Sequence, residues 1–275
     1  MRILVTNDDG IDSTGLHVLA RSLVPFGEVI IGAPDTEYSG ASSSFGPLHL
    51  IRPEMQKAYI DGVDEAWAVN GPPALCVMFA RLGAFGPPFD LVVSGINPGA
   101  NVGRSVYHSG TIGAALTARN GGITGIAVSQ AVDEGGYLGQ GLELMLKNQK
   151  WHSAAEAAAI AVSCLVDKPL SEAEVLNINV PNLEIDDIKG WVDTEVGTNL
   201  IRSMSEVSVE PKLGHEGTYH LKMSWGDRLP DPPIETDVGA VSRGYISLSW
   251  LSRLSREDPP TGSTIEEAFT ENFLS

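Results

Sequence analysis

Apolar positions 3–5 close in Asn7-Asp8-Asp9-Gly10, and Leu16, Leu19, Ala20 and Leu23 then recur at helical spacing, which predicts a strand, a polar loop and a helix over residues 14–24. Val29-Ile30-Ile31 continues through Gly32-Ala33-Pro34 as a second buried strand stopped by proline, and a polar loop follows as far as Ser44. The unit recurs. Residues 73–82 carry a helical pattern, Leu91-Val92-Val93 is an aliphatic run ending in Ser94-Gly95, 111–118 is helical and 123–129 a strand. An alanine-rich helix over 153–166 and a strand over 175–180, ended by Pro181, complete the series. This alternation predicts an α/β fold, a mostly parallel sheet with helices on both faces.

Beyond about residue 185 the rhythm stops. Residues 214–225 alternate like a hairpin, 228–235 are rich in proline and acid, 245–251 alternate as a strand, and 255–275 end in an acidic amphipathic segment. The expected organisation is one domain: an α/β core of about 1–185, a C-terminal hairpin and assembly segment of about 186–255, and a tail over 256–275. Residues 214–251 have too little surrounding chain to bury both faces of their strands, so they are expected to pack on another subunit.

Composition narrows the function classes. The 275 residues are 43% hydrophobic and 19% charged, as a folded globular chain requires. Eighteen basic residues against 35 acidic ones give a formal charge of -17, which excludes a nucleic-acid polymer held by diffuse attraction; any phosphate bound here needs a local device. No apolar run reaches the ~18 residues of a membrane span, and Asp8 and Asp9 come too early for a signal peptide, so the expectation is a cytoplasmic protein with no membrane partner. Cys76 and Cys164, both in apolar helical stretches, are expected to be small buried residues in a reducing compartment.

In an open parallel sheet, ligands collect at the carboxyl ends of the strands. The first end offers Asp8 and Asp9, the second Ser39-Gly40, and the strand over 91–93 leads to Asn97. Adjacent carboxylates repel, at a cost of about 1 kcal/mol at 4 Å even in water, unless a cation lies between them. Alone the pair reads as a helix cap with a solvated neighbour. With Ser39 and Asn97 it reads as a hard-cation site for Mg²⁺ or Mn²⁺, with positions left for water and substrate. The loop Asn97 to Gly103 alternates glycine with asparagine, and Ser109-Gly110-Thr111 opens a helix whose amides suit a phosphate. On this basis Gly110→Val is expected to cost phosphate affinity with the metal still bound. A dinucleotide-dependent oxidoreductase is excluded, since the first turn has glycines only at Gly10 and Gly15.

Taken together, Asn7-Asp8-Asp9-Gly10, Ser39-Gly40, Ser94-Gly95-Ile96-Asn97 with Gly99, Asn101 and Gly103, and Ser109-Gly110-Thr111 with Ala114-Ala115 resemble the SurE family of metal-dependent nucleotidases. Asp237-Val238 and Gly244-Tyr245-Ile246-Ser247 are similar to that family's C-terminal signature. The resemblance implies a Rossmann-like core, hydrolysis of nucleoside monophosphates and of short polyphosphates, and one divalent metal per subunit. It also implies a homodimer or homotetramer with exchanged C-terminal segments. It makes Asp8, Asp9, Ser39 and Asn97 the metal ligands, and lines the phosphate pocket with Asn7, Gly40, Asn101, Ser109, Gly110 and Thr111. The chain departs from the family at Pro72 and Leu75, where threonine and aspartate are usual, at residues 116–118, which lack a glutamate, and at Ser249-Trp250, where Thr-Pro is usual.

The corresponding reaction is in-line hydrolysis in which Asp8 or Asp9 takes the proton of the attacking water. His108, just before the helix start, is a candidate to protonate the leaving ribose oxygen, the alternative being a histidine packed under the loop. An aspartyl-phosphate route is disfavoured because the two acids are adjacent, not separated by one residue. His17 and His49 are expected to be structural. The competing reading is a non-catalytic module that binds a nucleotide or phosphate on the same loops.

Overall fold

The computed structural model describes residues 1–50, 52–132, 146–198, 204–226, 232–252, 254 and 264–273. Strand β1 (Arg2–Thr6) is buried along its whole length, with Ile3 and Val5 facing one layer and Leu4 the other. Burial on both faces explains why its sequence is a continuous apolar run without alternation. Helix α1 (Thr14–Leu23) is capped by Ser13, whose hydroxyl accepts from the Leu16 amide, and it leads into β2 (Glu28–Pro34). Strands β3 (Met55–Ala58) and β4 (Glu65–Val69) extend the sheet before α2 (Pro73–Arg81). Then come β5 (Leu91–Pro98), a 3₁₀ turn (Gly103–Tyr107), α3 (Gly110–Asn120), β6 (Thr124–Gln130), α4 (Trp151–Asp167) and β7 (Val175–Val180).

The nine-stranded sheet runs β3-β4-β2-β1-β5-β6-β7-β11-β8, where β8 is Trp191–Asp193 and β11 is Ile246–Leu251. All pairings are parallel except β3 with β4 and β11 with β7. Helices α1 and α4 cover one face through Leu16, Leu19, Leu23, Ala158 and Val162, and α2 and α3 cover the other through Cys76, Val77, Ala114 and Ala118. The chain first moves outward from β1 to β2 and β4, then returns across β1 to β5, so the order of strands reverses between β1 and β5. That reversal opens a crevice at the carboxyl ends of the two strands.

Three expectations are corrected. The core does not close at β7, because residues 245–251 form β11 inside the main sheet, antiparallel to β7. Ile246 and Leu248 pack on the main core, while the alternate Ser247 and Ser249 are buried on the other face with their hydroxyls on Thr194 Oγ1, at 2.7 and 2.8 Å. The hairpin is larger than residues 214–225: β9 (Met204–Pro211) pairs with β10 (Tyr219–Trp225), and Gly214 lies in the turn. Cys164 is exposed, since it sits on the opposite side of α4 from Ala154, Ala158 and Val162; Cys76 is buried as expected. The sequence reading also left β3, β4, β8 and the short helix α5 (Asp237–Ser242) unassigned. Helix α6 (Ile265–Phe273) fulfils the amphipathic expectation for the tail. Of the proline- and acid-rich stretch, residues 228–231 lie outside the described residues, as do 255–263 of the tail.

Candidate active site

Asp8 and Asp9 stand at the end of β1, in the crevice between β1 and β5. Asn7 shapes this turn from inside. It is fully buried, and its Nδ2 donates to the Gly10 carbonyl at 3.0 Å and to Ser13 Oγ at 2.8 Å. The Tyr38 amide donates to the Asp8 carbonyl at 2.7 Å, which draws the β2 loop, with Ser39 and Gly40, against the aspartates. Ser42 and Ser43 fasten the far side of that loop to the start of α3. The Ser42 amide donates to the His108 carbonyl at 3.2 Å, and Ser43 Oγ to the Gly113 carbonyl at 3.2 Å.

The two aspartates have different surroundings. Asp8 is 4% exposed, and its Oδ1 accepts from the Thr111 hydroxyl at 2.7 Å. Burial raises its pKa, while the Thr111 hydroxyl and the amides of Thr111 and Gly110 oppose that rise. Asp9 lacks such support: its Oδ2 is buried with no hydrogen-bond partner. Burial first, then the charges of Asp8 and Glu37, push its carboxyl up to about 8. A buried carboxylate oxygen without a donor is costly, and a cation is one way to offset it.

Neutral oxygens are available at the neighbouring strand ends. Asn97 lies just past the irregularity where β5 shifts register against β6, and its Nδ2 donates to the Gly99 carbonyl at 2.7 Å, leaving Oδ1 as its lone-pair donor. Ser39 is exposed and its hydroxyl donates to Glu37 Oε1 at 2.7 Å, so its lone pairs remain free. Among the described residues no three His, Cys, Asp or Glu gather into a metal-holding group. Two carboxylates joined by serine and asparagine oxygens suit a hard divalent ion rather than a soft one. By the chemistry of these donors and the orphaned Asp9 oxygen, the residues fit a hard divalent cation.

The other side of the crevice is built from the loop after β5 and the start of α3. Ser109 caps α3, its Oγ accepting from the Ile112 amide at 3.1 Å. Gly110 lies so close to Asp8 that a Cβ there would come within 2.7 Å of Asp8 Oδ2. The expectation that a bulky residue at 110 leaves the metal site intact is therefore corrected: the helix start and the first aspartate touch. Asn101 is buried, and its Nδ2 reaches Ser129 Oγ at 2.9 Å and Thr111 Oγ1 at 3.4 Å, which connects it through Thr111 to Asp8.

His108 is exposed between the 3₁₀ turn and α3. His17 is structural, its Nε2 2.7 Å from the Ile11 carbonyl, whereas His49 is exposed on a turn and packs in no apolar site. At the positions of departure, Leu75 is fully buried and Trp250 is 55% exposed, while the Thr117 hydroxyl bonds back to the Gly113 carbonyl at 2.7 Å.

Two residues that the sequence reading passed over organise this site. Asn179 holds both backbone groups of Asn101: its Oδ1 accepts from the Asn101 amide at 2.8 Å and its Nδ2 donates to the Asn101 carbonyl at 3.2 Å. Asn177 adds a second donor to that carbonyl at 3.0 Å. The available signal was two asparagines at alternate positions of a fully buried strand, where an unpaired amide is costly.

Comparison with known proteins identifies the family and the fold. A family model described as Survival protein SurE matches residues 3–203. The chain is 37% identical over 250 residues to 5′-nucleotidase SurE of Haemophilus influenzae (strain PittGG), covering 90% of each chain. It is 37% identical over 251 residues to 5′/3′-nucleotidase SurE of Erwinia tasmaniensis, covering 91% of this chain and 90% of the relative. Among solved structures, the SurE protein from Aquifex aeolicus aligns with a TM-score of 0.73 at 27% identity, covering 98% of this chain and 99% of the other.

Proposed function

This chain belongs to the SurE family, and from that membership and the geometry of the β1–β5 crevice we propose that it is a metal-dependent 5′-nucleotidase. It hydrolyses nucleoside 5′-monophosphates to nucleoside and phosphate, with 3′-monophosphates and short polyphosphate as further substrates of the same site. The observation that carries this reading is the Asp8-Asp9 pair at the switch point of the sheet: Asp8 is buried, and Asp9 is half-buried with its Oδ2 enclosed and without a protein partner. A non-catalytic phosphate binder gains nothing from two adjacent acids at this point. Release of inorganic phosphate from a panel of nucleoside 5′- and 3′-monophosphates, with Mg²⁺ and Mn²⁺ in turn, tests the reading.

Asp8, Asp9, Ser39 and Asn97 would hold one divalent ion, Mg²⁺ or Mn²⁺. When bound, such an ion supplies Lewis acidity to the phosphoryl oxygens and to water. The protein's own residues divide the remaining work. Thr111 fixes Asp8 in one orientation, so Asp8 serves as a rigid ligand. Asp9 would give its partnerless Oδ2 to the ion, and the proton of the attacking water falls to whichever carboxylate oxygen of Asp8 or Asp9 the ion leaves free. Asn101 and the Ser109–Thr111 helix start face the charge that develops on the phosphoryl oxygens, and the buried contacts behind them hold that arrangement in place before substrate arrives. His108, exposed beside the same helix start, delivers a proton to the leaving ribose oxygen.

The assembly follows from the hairpin. Register pairs Val209 with Leu221, Val207 with Met223 and Pro211 with Tyr219, so one face of the β9–β10 ribbon is a strip of apolar side chains. Val207, Val209, Tyr219, Leu221 and Met223 are each at least 55% exposed. A two-stranded ribbon with a bare apolar face is marginal in isolation, and a second copy of the chain offers the same strip as cover. Val209→Asp combined with Leu221→Asp is expected to convert a dimer or tetramer into a monomer by light scattering. A wild-type mass of 29.2 kDa at micromolar concentration would contradict the assembly.

Among the described residues no helix is long and apolar enough to cross a membrane. A cytoplasmic location belongs to the same reading and is supported by Cys76 and Cys164 both being free thiols.

A further inference from the structure

Asp237 opens helix α5, far along the chain from the metal and phosphate loops, yet its carboxylate is entirely buried. Three backbone amides from three different segments converge on it. Gly103 donates to Oδ2 at 2.7 Å, while Gly197 and Val238 donate to Oδ1 at 2.9 and 2.7 Å. The Asp237 amide in turn donates to the Glu195 carbonyl at 2.9 Å. Beside it, Arg104 Nε donates to the Thr198 carbonyl at 3.1 Å. The fit is close, since a Cβ at Gly197 would meet Asp237 Oδ1 at 3.1 Å.

These partners occupy informative places. Gly103 ends the loop that carries Asn101 and begins the 3₁₀ turn leading to His108 and the start of α3. Gly197 and Asp237 lie on the two legs of chain that leave for and return from the β9–β10 hairpin. The Asn101 end of the loop is already fixed from below by Asn177, Asn179 and Ser129. Among the described residues, the side chain that accepts from the Gly103 amide is Asp237.

We infer that Asp237 is a positioning residue of the nucleotidase site: it sets the Gly103 end of the phosphate loop and ties it to the base of the assembly hairpin. The inference rests on the phosphate reading proposed above. An ionised carboxylate suits this post because both its oxygens accept, and three charge-assisted bonds offset the cost of burying it. Asparagine keeps the shape but supplies one acceptor oxygen. With that oxygen on Gly197 and Val238, its NH₂ meets the Gly103 amide donor to donor, so the loop is released while the other two bonds persist.

Titration of inorganic phosphate into Mn²⁺-loaded protein, wild type against Asp237→Asn, tests this. The variant is expected to bind phosphate about tenfold more weakly, as loss of one charge-assisted hydrogen bond implies, and to show a raised KM with kcat much less affected. Its Mn²⁺ affinity is expected to match the wild type, because none of the proposed ligands touches Asp237. Hydrogen exchange on the wild type is a second measurement that needs no variant: phosphate with Mn²⁺ is expected to slow exchange in residues 99–103 and also in residues 194–198. Unchanged phosphate affinity in the variant, a parallel loss of Mn²⁺ affinity, or protection confined to residues 99–103 would each overturn the inference. Wild-type protein that binds no phosphate at all would overturn the phosphate reading and this inference with it.

Discussion

Asp9→Asn is expected to lower kcat/KM by at least about 1000-fold, the scale set when a metal's charge stabilisation of the transition state is removed. The same variant, stripped of metal by a chelator, is expected to unfold at a higher temperature than the wild type. Asp9 holds a buried carboxyl whose Oδ2 has no donor and whose neighbours Asp8 and Glu37 repel its charge. Asparagine has the same shape and no charge to desolvate, so a gain of about 1 kcal/mol is reasonable. The opposite movements of activity and stability are the informative part. A residue that merely stabilised the loop would lose both on substitution. Thermal unfolding in chelator and Mn²⁺ titration calorimetry check the two halves separately, and an active Asp9→Asn protein at ordinary metal concentration would refute the site.

The second large effect is expected at Gly110. Alanine at the first position of a helix is ordinarily harmless or mildly stabilising. Here a Cβ would lie 2.7 Å from Asp8 Oδ2 and 2.8 Å from Asp8 Cβ, distances that force the aspartate or the helix start to move. Asp8 is held by Thr111 from the same helix turn, so the carboxylate and the amides of the helix start shift together. Gly110→Ala is expected to cost about 100-fold in kcat/KM, the scale of an ångström-sized misplacement, and Gly110→Val more. Weakened binding of both Mn²⁺ and phosphate is the expected calorimetric signature. Wild-type affinity for Mn²⁺ in Gly110→Ala would show that the helix start and Asp8 are mechanically independent.

Much of the core was legible because buried parallel strands and amphipathic helices leave periodic traces. Strand β7 was read at its observed limits, and α1, α2, α3 and α4 were each located to within a few residues. The elements that escaped have weak local signals. Strand β3, Met-Gln-Lys-Ala, is an exposed edge strand, and β8 is three residues long. Strand β11 is recognisable by its alternation but its neighbourhood is not, because alternation says nothing about which strand lies alongside, and its serines are buried against Thr194 across 53 and 55 positions.

The candidate site shows the same division. Asp8, Asp9, Ser39 and Asn97 could be proposed as a set because strand ends in an α/β sheet converge, so residues distant in sequence are neighbours by topology alone. The contacts that orient them were not legible. Thr111 reaches Asp8 across 103 positions, Asn179 reaches Asn101 across 78, and Asp237 reaches Gly103 across 134. Pairings at such separations depend on the packed sheet, and no local spacing rule encodes them.

The decisive question is whether the β1–β5 crevice hydrolyses nucleotides with a divalent ion held at Asp8 and Asp9. The direct measurement is phosphate release from a nucleoside 5′-monophosphate by chelator-treated protein, followed as Mn²⁺ is titrated back, in wild type and Asp9→Asn side by side. Release that is absent in chelator, returns with Mn²⁺ in the wild type and fails to return in Asp9→Asn is the predicted result. Undiminished release in chelator, or equal recovery by both proteins, would contradict it.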